Sequence, residues 1–381
     1  MKRKILYISG TRADYGLMRT VLTKIHNHPK LSLKIAATGM HVMEEFGNTI
    51  DEIRGDEFQV LKFNIAINND DKRAMVHFIG TFIQRLSEEL SHDRPDIILL
   101  LGDRGEMLAG AIAGAYMSIP IAHIHGGEIT STIDDLARHA ITKLSHIHFP
   151  ATQESANRII RMGENPNYVF VVGAPGIDQI LSEELTPAPV IMQKYHLNPD
   201  KPFFLVVQHP VTLEADDAAT QMKATLGALS KLNIQTLIIY PNADAGGRKM
   251  IRIIEHFTKN SMFTAFKSIP HNDYLSLLRC SAALIGNSSS GIIEAPTLGV
   301  PVVNIGSRQQ GRQRGDNVID TSYDEREIIA AIKKSLSDRQ FLEQVKNCKS
   351  PYGDGTCSQK IVDVLSTISL NKSLIQKQMM Y

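Results

Sequence analysis

Acidic side chains follow two apolar runs in the first half of the sequence. Asp103 comes one glycine after residues 97–101, which read IILLL, and Glu128 comes shortly after residues 121–124, which read IAHI. Asp134 follows soon afterwards, at the start of a segment with helical spacing. Carboxylates that face one another across a pocket crowd their negative charges, and crowding and burial raise some of their pKa values toward neutrality. Such a group can remove and deliver protons, so we predict a proton-transfer site here.

The same residues also have simpler structural interpretations. Asp134 is suited to capping a helix, and Asp103 can pair with Arg104, the next residue in the chain, or with another neighbour. His123 and His125 lie two positions apart, so a strand containing both would place both rings on one face. That spacing hints at a metal ion, but no third ligand can be named. We therefore predict that the chain holds no metal and needs no cofactor.

A serine-rich loop stands out in the second half. Residues 285–294 read IGNSSSGIIE, an apolar run that ends in small hydroxyl residues and continues into a helical segment. The donors at this point are Ser288, Ser289, Ser290 and Gly291. Hydroxyl and backbone N–H groups at the positive end of a helix suit a diphosphate, and Glu294 is placed to accept hydrogen bonds from ribose hydroxyls. Capping alone needs fewer serines, so we predict a nucleotide-binding loop.

Further polar groups of the second half are expected at the same rim. Residues 306–315 read GSRQQGRQRG, and their three guanidinium groups indicate a local anion site. We expect at least one of them to contact phosphate, although exposed arginines are usually solvated. His209 and Asn242 follow two other apolar runs, 203–207 and 236–240, and add hydrogen-bonding groups there.

A glycine-containing loop also follows the first apolar run of the chain. Residues 10–16 read GTRADYG, in which the glycines allow close backbone approach and Arg12 fits phosphate oxygens. The spacing is not G-x-G-x-x-G, and the chain contains no Gly-Lys dipeptide, so a Walker A loop is excluded. A turn of this kind is about as often purely structural as it is a binding site, so both interpretations stay open.

The elements that must position these loops alternate in type along the chain. The expected strands are residues 4–9, 33–37, 97–101, 121–124, 168–172, 203–207, 236–240, 283–285 and 300–305. From Met75 to Leu90, apolar residues recur at three- and four-residue steps, which predicts a helix with one face in the core. Strands that alternate with helices form parallel sheets covered on both faces, so we predict an α/β fold. Ligands bind beyond the carboxyl ends of such strands.

The length of 381 residues suits two domains. A polar stretch with Pro187 and Pro189 interrupts the alternation, and we place the boundary there, between domains of residues 1–183 and 184–381. Strands and helices alternate in the same way in both halves. Two Rossmann-like domains that face each other across a cleft are therefore the simplest architecture. A last helical segment, residues 358–376, is expected to cross back onto the first domain.

The composition excludes several classes of partner. Lys and Arg number 41 and Asp and Glu 40, so the formal charge of +1 gives no global field for a nucleic acid or a membrane surface. Apolar stretches fall far short of the roughly 20 residues that span a bilayer, and no secretory signal is present, so we expect a cytoplasmic protein. The three cysteines, Cys280, Cys348 and Cys357, cannot all pair and are expected to be reduced.

Seven motifs together resemble the hydrolysing UDP-N-acetylglucosamine 2-epimerases, which open bacterial sialic acid and legionaminic acid biosynthesis. They are GTRADYG at 10–16, TGMH at 38–41, GDR at 102–104, GGE at 126–128, RHAITK at 138–143, GNSSSG at 286–291 and GSRQ at 306–309. They occur in order over nearly the whole chain. The resemblance implies a glycosyltransferase-B-like pair of domains that close over a UDP-sugar, and a homodimer or homotetramer.

The resemblance also implies a reaction. Family members eliminate UDP across C1–C2 of the sugar to give a 2-acetamidoglucal, and then add water with the opposite configuration at C2. UDP-N-acetylglucosamine would thus give N-acetylmannosamine and UDP. This chemistry needs one group that removes the C2 proton and another that delivers a proton to the other ring face, while arginines stabilise the leaving diphosphate.

The resemblance assigns roles residue by residue. Asp103 and Asp134 match the catalytic aspartates, and His209 matches the functional histidine of the second domain. The positions that match UDP contacts are Arg12, Arg104, Asn242, Ser288, Ser289, Glu294 and Arg308. From the same loops we add Asp14, Gly16, Ser290 and Gly291 as expected substrate contacts.

One position departs from the family pattern. Many members have a catalytic glutamate where this chain has His125, whereas Glu128 is retained, so either residue can be the third acid–base group. The departure also leaves the sugar open, and UDP-N,N′-diacetylbacillosamine is the alternative substrate. Below the epimerase we rank a glycosyltransferase, which would leave C2 unchanged, and a non-catalytic UDP-sugar sensor, which would need neither Asp103 nor Asp134.

Overall fold

Two similar halves make up the molecule. The computed structural model describes residues 2–65, 71–130, 133–182 and 184–380. Within these ranges each half carries a six-stranded parallel sheet. The first sheet consists of β1 (Arg3–Ser9), β2 (Leu31–Ala37), β3 (Gln59–Lys62), β4 (Ile97–Leu101), β5 (Ile121–Ile124) and β6 (Ile147–Phe149). The second consists of β7 (Phe203–Val207), β8 (Gln235–Ile239), β9 (Phe263–Phe266), β10 (Ala283–Gly286), β11 (Val302–Ile305) and β12 (Val318–Thr321).

Helices alternate with the strands in both halves. The first half has α1 (Arg12–Asn27), α2 (Ile50–Gly55), α3 (Lys72–His92), α4 (Gly105–Tyr116), α5 (Ile133–Leu144), α6 (Gln153–Arg161) and α7 (Pro175–Ser182). The second half continues with α8 (Ala188–Lys194), α9 (Ala218–Ser230), α10 (Gly247–Phe257), α11 (His271–Cys280), α12 (Ser290–Ile293), α13 (Ala295–Leu298), α14 (Glu325–Ser337), α15 (Arg339–Lys346), α16 (Cys357–Thr367) and α17 (Lys372–Ile375). Short 3₁₀ turns span Gly39–Val42, Glu44–Phe46, Pro166–Tyr168 and Thr212–Glu214. No helix in the described ranges is long and apolar enough to cross a bilayer.

The two sheets have the same strand order. The first runs β3-β2-β1-β4-β5-β6 and the second β12-β11-β10-β7-β8-β9, which is one topology counted from the start of each half. In each sheet the chain leaves two adjacent central strands in opposite directions, β1 and β4 in the first and β7 and β10 in the second. This switch point opens a crevice at the carboxyl ends of those strands. The predicted α/β fold with paired Rossmann-like units is confirmed, and the loops of interest follow these strands.

Burial explains why the central strands were readable from the sequence. β4 is buried along its whole length, as expected for a parallel strand with helices on both faces. The predicted stripe on α3 is also confirmed, because Phe78, Phe82, Leu86 and Leu90 lie in the core. Each such side chain contributes about 1.5–3 kcal/mol when it leaves water.

The predictions that fail concern the sheet edges. Residues 168–172 form no strand: Pro166–Tyr168 is a 3₁₀ turn, and Val169 makes one isolated bridge with His148. The run is apolar because Tyr168 and Phe170 pack against the core from an irregular segment. Conversely, four strands were absent from the prediction. They are the edge strands of the two sheets, β3, β6, β9 and β12. Edge strands are short and often half exposed, so they lack a long apolar run.

The carboxy-terminal segment lies on the first half. The single helix expected over residues 358–376 is broken into α16 and α17. Ile361, Leu365 and Leu374 belong to the same core cluster as β1 and α1. In addition, the Arg3 guanidinium donates to the carbonyl of Ile368 at 2.8 Å. The domain boundary expected after residue 183 falls beside Glu183, which is outside the described residues.

Candidate active site

One buried carboxylate organises the loop between β1 and α1. Asp14 accepts hydrogen bonds from the N–H groups of Gly10 (3.0 Å) and Thr11 (2.7 Å), and from the hydroxyls of Thr11 and Ser9. Thr11 in turn caps α1 by accepting from the Asp14 N–H at 3.1 Å. The Asp14 carboxylate therefore bonds to its own loop, and its predicted contact with a substrate stays a prediction.

Gly16 lets α1 approach α11 of the second half. A Cβ at this position would lie 2.5 Å from the Cβ of His271, so a larger residue would force the two helices apart. His271 also places its Nδ1 at 2.5 Å from Oε1 of Gln179. Gly16 thus allows a close contact between the halves. Its predicted contact with a substrate stays a prediction.

Two arginines of the first half form ion pairs near the switch point. Arg12 donates from Nε to Glu52 at 2.5 Å. Arg104 donates from Nε to Glu106 at 3.2 Å, and its Nη2 lies 3.6 Å from Asp244 of the second half. The second contact of Arg104 crosses the cleft, so this arginine is positioned by carboxylates from both halves.

Asp103 is held by a buried arginine. It forms an ion pair with Arg138 of α5, which also pairs with Asp135 at 2.9 Å. Behind it, His123 donates from Nε2 to the carbonyl of Gly102 at 2.7 Å. Burial lowers the pKa of His123 to about 3, so the ring is neutral. Asp103 is therefore paired with Arg138 and not with the next residue in the chain.

His125 lies just beyond the end of a strand. β5 ends at Ile124, and His125 adopts a left-handed φ of 62°. The expectation that His123 and His125 share one face is wrong, because alternation holds only in extended backbone. His125 Nδ1 lies 2.8 Å from one oxygen of Glu128, and the other oxygen pairs with Arg312 of the second half. These groups join the two halves in the cleft.

Close backbone approach shapes the serine-rich loop of the second half. Gly286 has a φ of 128°, and a Cβ there would lie 2.2 Å from the carbonyl oxygen of Val207, so β10 and β7 meet closely at the switch point. The Ser290 hydroxyl accepts from Tyr274 at 2.5 Å, and the Ser288 hydroxyl accepts from the Ser290 N–H at 3.3 Å. The loop thus has a fixed shape before any ligand is considered.

Glu294 lies at a helix junction. Ser289 is the N-cap residue of α12, and Gly291 lies in the first turn. α12 ends at Ile293 and α13 begins at Ala295, so Glu294 is not inside a continuous helix as predicted. Its side chain is buried, and burial raises its pKa.

A neighbouring asparagine fixes the backbone of His209. Asn287 donates to the His209 carbonyl at 2.9 Å and accepts from its N–H at 2.7 Å. The ring Nδ1 accepts from the N–H of Asn242 at 3.2 Å, which leaves the proton of the neutral ring on Nε2. Burial, and then the charges of Arg308 and Arg104, lower the pKa of His209 well below its ordinary value. His209 is therefore a neutral ring whose Nε2–H can donate.

The loop after β11 reaches toward α5. Arg308 donates to the carbonyl of Asn287 at 3.1 Å, and its Nη2 lies 4.0 Å from Oδ2 of Asp134. Arg314 of the same loop instead pairs with Asp320 at 2.6 Å on a more exposed surface. Of the three arginines noted in the sequence, Arg308 and Arg312 thus meet the carboxylates of the first half.

The chain is similar to known proteins over nearly its whole length. A family model described as UDP-N-acetylglucosamine 2-epimerase matches residues 23–366. The chain is 40% identical over 378 residues to the UDP-N,N′-diacetylbacillosamine 2-epimerase (hydrolyzing) of Legionella pneumophila, covering 99% of each chain. This chain belongs to the UDP-N-acetylglucosamine 2-epimerase family. The family resemblance drawn from the seven motifs is confirmed.

A second relative supports the family assignment, and a solved structure supports the fold. This chain is 37% identical over 340 residues to the UDP-N-acetylglucosamine 2-epimerase of Neisseria meningitidis serogroup B, covering 89% of each chain. Its fold is similar to the UDP-GlcNAc 2-epimerase of Methanocaldococcus jannaschii in complex with UDP-GlcNAc and UDP. That similarity has a TM-score of 0.78 at 17% identity and covers 95% of this chain and 99% of the other.

The charge of Glu128 is set by its neighbours in this 2-epimerase-family site. Burial alone would raise the pKa of Glu128, but the adjacent Arg312 and His125 outweigh it and lower the pKa to about 2. Glu128 is therefore an anion throughout the neutral range.

Sequence reasoning gave no role to three charged residues of the site, Arg138, Glu106 and Asp244. It placed Arg312 only among the three arginines of an expected anion site. A buried arginine gives little signal in a sequence, because its pairing with distant carboxylates depends on the fold. Among the described residues, no group of three His, Cys, Asp or Glu side chains is arranged to hold a metal ion. The three cysteines are free.

Proposed function

We propose that this protein is a hydrolysing 2-epimerase that converts UDP-N-acetylglucosamine and water into N-acetylmannosamine and UDP. The observation that carries the proposal is the meeting of first-half carboxylates with second-half arginines in the cleft, Glu128 with Arg312 and Asp134 with Arg308. A substrate of this kind has an anionic diphosphate at one end and a weakly acidic C–H at the other, so it needs both sets of groups.

The first domain, residues 1–183, would supply the groups that act on the sugar. Asp103 and Asp134 are the proposed catalytic aspartates. The ion pair with Arg138 orients Asp103, and the first turn of α5, which carries Asp134, lies against the second domain through Arg308. In the elimination, one carboxylate takes the C2 proton, the C–H electron pair forms the C1–C2 double bond, and the C1–O pair leaves with UDP.

The second domain, residues 184–381, would hold UDP. The start of α12, with Ser288, Ser289, Ser290 and Gly291, offers hydroxyl and N–H donors for the diphosphate. The neutral His209 would donate from Nε2 to the leaving phosphate, and Glu294 would accept from the ribose. The remaining predicted contacts are Arg12, Asp14, Gly16, Arg104, Asn242 and Arg308. Arginines at the leaving group stabilise the charge that develops there.

A second substrate is favoured by a specific observation. The Legionella relative, 40% identical over nearly the full length of both chains, is named for UDP-N,N′-diacetylbacillosamine. The Neisseria relative, at 37% identity, is named for UDP-N-acetylglucosamine. The two sugars differ away from C1 and C2, so the elimination and hydration steps would be the same for both.

Product analysis with each UDP-sugar tests the proposal. The expected result is UDP and a free 2-epimerised amino sugar in equal amounts from at least one substrate. Asp103→Asn and Asp134→Asn should each lower this rate by about 10²–10⁴-fold. Asp51→Asn, at a side chain that is 70% exposed, is the control with unchanged rate. Transfer of the sugar to an acceptor with C2 unchanged, or UDP-sugar binding without turnover, would contradict the proposal.

We also propose a homodimer or homotetramer in the cytoplasm. Three neighbouring helices of the first half expose large apolar side chains, Val76 on α3, Tyr116 on α4 and Leu136 on α5. Exposed apolar side chains on adjacent helices mark a candidate interface. Light scattering of the wild-type protein and of Tyr116→Glu tests this: the variant should shift toward monomer, and a monomeric wild type would contradict it.

A further inference from the structure

The reaction requires a proton donor as well as a proton acceptor, and the structure separates the candidates. Asp103 and Asp134 both lie beside guanidinium groups, which favour the ionised carboxylate that accepts a proton. His209 is neutral, and its position suits hydrogen bonding to an anion. A group that delivers a proton at neutral pH must carry one beforehand, which leaves His125 and Glu128.

The geometry around His125 fixes the direction of its ring. Its N–H donates to the carbonyl of Phe149 at 3.1 Å, and its φ of 62° is a conformation that non-glycine residues seldom adopt. Such backbone strain persists where the surrounding structure enforces it, often at functional sites. Nδ1 lies 2.8 Å from Oε1 of Glu128, so the Nδ1 edge of the ring faces this carboxylate and Nε2 lies on the other edge.

Glu128 is fixed by three neighbours and cannot share the role of donor. One oxygen faces His125, and the other pairs with Arg312 of the second domain. Its backbone carbonyl accepts from Arg138 at 3.2 Å. The side chains of Glu128 and Arg312 are 2% and 7% exposed, so water does not weaken this ion pair. The Glu128 carboxylate stays ionised and acts on His125.

We propose that His125 delivers the proton to C2 of the glucal intermediate and that Glu128, held by Arg312, is a positioning residue for the His125 ring. This inference rests on the proposed function. In the step, the Nε2–H bond of the imidazolium breaks and the electron pair of the C1–C2 double bond forms the new C2–H bond. The oxygen of water then bonds to C1, and the extra proton of that water passes to an ionised carboxylate.

Arg312 links the His125–Glu128 pair to the contact between the domains. Because Arg312 is on the loop after β11, Glu128 acquires its second partner only when the domains meet. The charged and titratable groups near His125 are Glu128 on its own loop, His123 on β5, Glu294 beyond α12, and Arg312.

Separate measurement of UDP release, glucal and free amino sugar tests the proposal. His125→Gln should still release UDP, with the glucal as its product, while amino sugar formation falls by about 10²–10⁴-fold. His125→Glu, which places the glutamate common in the family, should restore part of the amino sugar rate. His256→Gln, at an exposed position on α10, is the matched control with the wild-type rate.

The separation of KM from kcat distinguishes delivery of a proton from support of the fold. His125→Gln and Glu128→Gln should each keep the KM for the UDP-sugar and lower kcat for amino sugar formation, while UDP release continues. Loss of the fold would instead abolish UDP binding and UDP release in the same variant.

Addition of 2-acetamidoglucal and UDP to each variant measures the protonation step alone. The proposal expects His125→Gln to hydrate the glucal far more slowly than the wild type. Wild-type hydration by His125→Gln would overturn it, and so would loss of UDP release and hydration together in a variant that still binds UDP. An inactive wild type would instead contradict the proposed function, so the two failures are distinguishable.

Discussion

Glu128 of the first domain and Arg312 of the second form an ion pair in which both side chains are buried. A second contact between the domains differs in exposure: Arg248 pairs with Glu45 at 2.5 Å, with side chains 22% and 40% exposed. Water and salt screen the second pair but not the first. The two pairs therefore have different expected effects on activity.

A double-mutant cycle should show strong coupling between Glu128 and Arg312. Breaking a buried pair leaves an uncompensated charge, so Glu128→Gln and Arg312→Gln should each lower kcat/KM for amino sugar by at least about tenfold. The double variant should be no worse than the poorer single variant, which means a coupling of about 1.4 kcal/mol or more. Additive effects would show that the pair is not a functional unit.

The exposed pair is the matched control for this cycle. Glu45→Gln and Arg248→Gln should change kcat/KM by less than about fivefold, since exposed pairs contribute roughly 0–1 kcal/mol. Arg314→Gln, on the same loop as Arg312 but paired with Asp320 outside the cleft, should also have little effect.

Gly16→Ala should impair the contact between the domains. The added methyl group would meet His271 at 2.5 Å, and overpacking of this kind costs about 1–3 kcal/mol. We expect a lower thermal midpoint and a lower kcat/KM. Gly80→Ala is the control, because its position on α3 is exposed and open, and alanine should stabilise that helix by roughly 0.5–1 kcal/mol. Equal behaviour of the two variants would contradict the close packing.

Asp14→Ala should lower the thermal stability of the fold more than it lowers the affinity for UDP. The substitution leaves the N–H groups of Gly10 and Thr11 without their acceptor in a buried loop. Each unsatisfied group costs about 1–3 kcal/mol. Thermal unfolding and UDP titration measured side by side check this: the midpoint should fall clearly. A weaker affinity for UDP at an unchanged midpoint would instead favour the predicted contact with the substrate.

Glu164 should give stability a defined pH dependence. Its buried carboxylate pairs with Lys143 and Lys377, each at 2.6 Å, and lies 3.1 Å from His148. Burial opposes ionisation, but these partners outweigh it and lower the pKa to about 2, against an ordinary 4.5. Because the folded pKa lies below the unfolded one, the stabilisation is complete above pH 4.5 and is lost as the pH falls toward 2.

Denaturation of Glu164→Gln at a series of pH values checks the direction of this pH dependence. At pH 7 the variant should unfold with a free energy about 3 kcal/mol lower than the wild type. The difference should shrink steadily below pH 4.5. Glu88→Gln, at an exposed position on α3, should show no such trend. A difference that stays constant down to pH 3 would mean that Glu164 ionisation does not stabilise the fold.

The sequence predicted the fold well where burial is uniform. The central strands and the α3 stripe are readable because helices cover both faces of each sheet. The edge strands β3 and β12 are not, because few of their residues are buried. The break between α16 and α17 was also missed, since both helices bury apolar residues in the same core and apolar spacing alone does not mark the break.

The candidate site was predicted in its loops but not in its pairings. Positions such as Asp103 follow from the rule that ligands bind at the ends of parallel strands. The pairing of Asp103 with Arg138, and of Glu128 with Arg312, joins residues far apart in the chain, and no local spacing encodes it. The left-handed backbone of His125 was equally hidden, because a histidine after a strand is expected to continue the alternation.

The central claim is removal and replacement of the proton at C2 of a UDP-sugar. The most direct test is turnover in deuterated water, with mass and NMR analysis of the free amino sugar. The account predicts UDP together with an amino sugar of inverted configuration that carries one deuterium at C2. An amino sugar that retains the original hydrogen at C2 would contradict it.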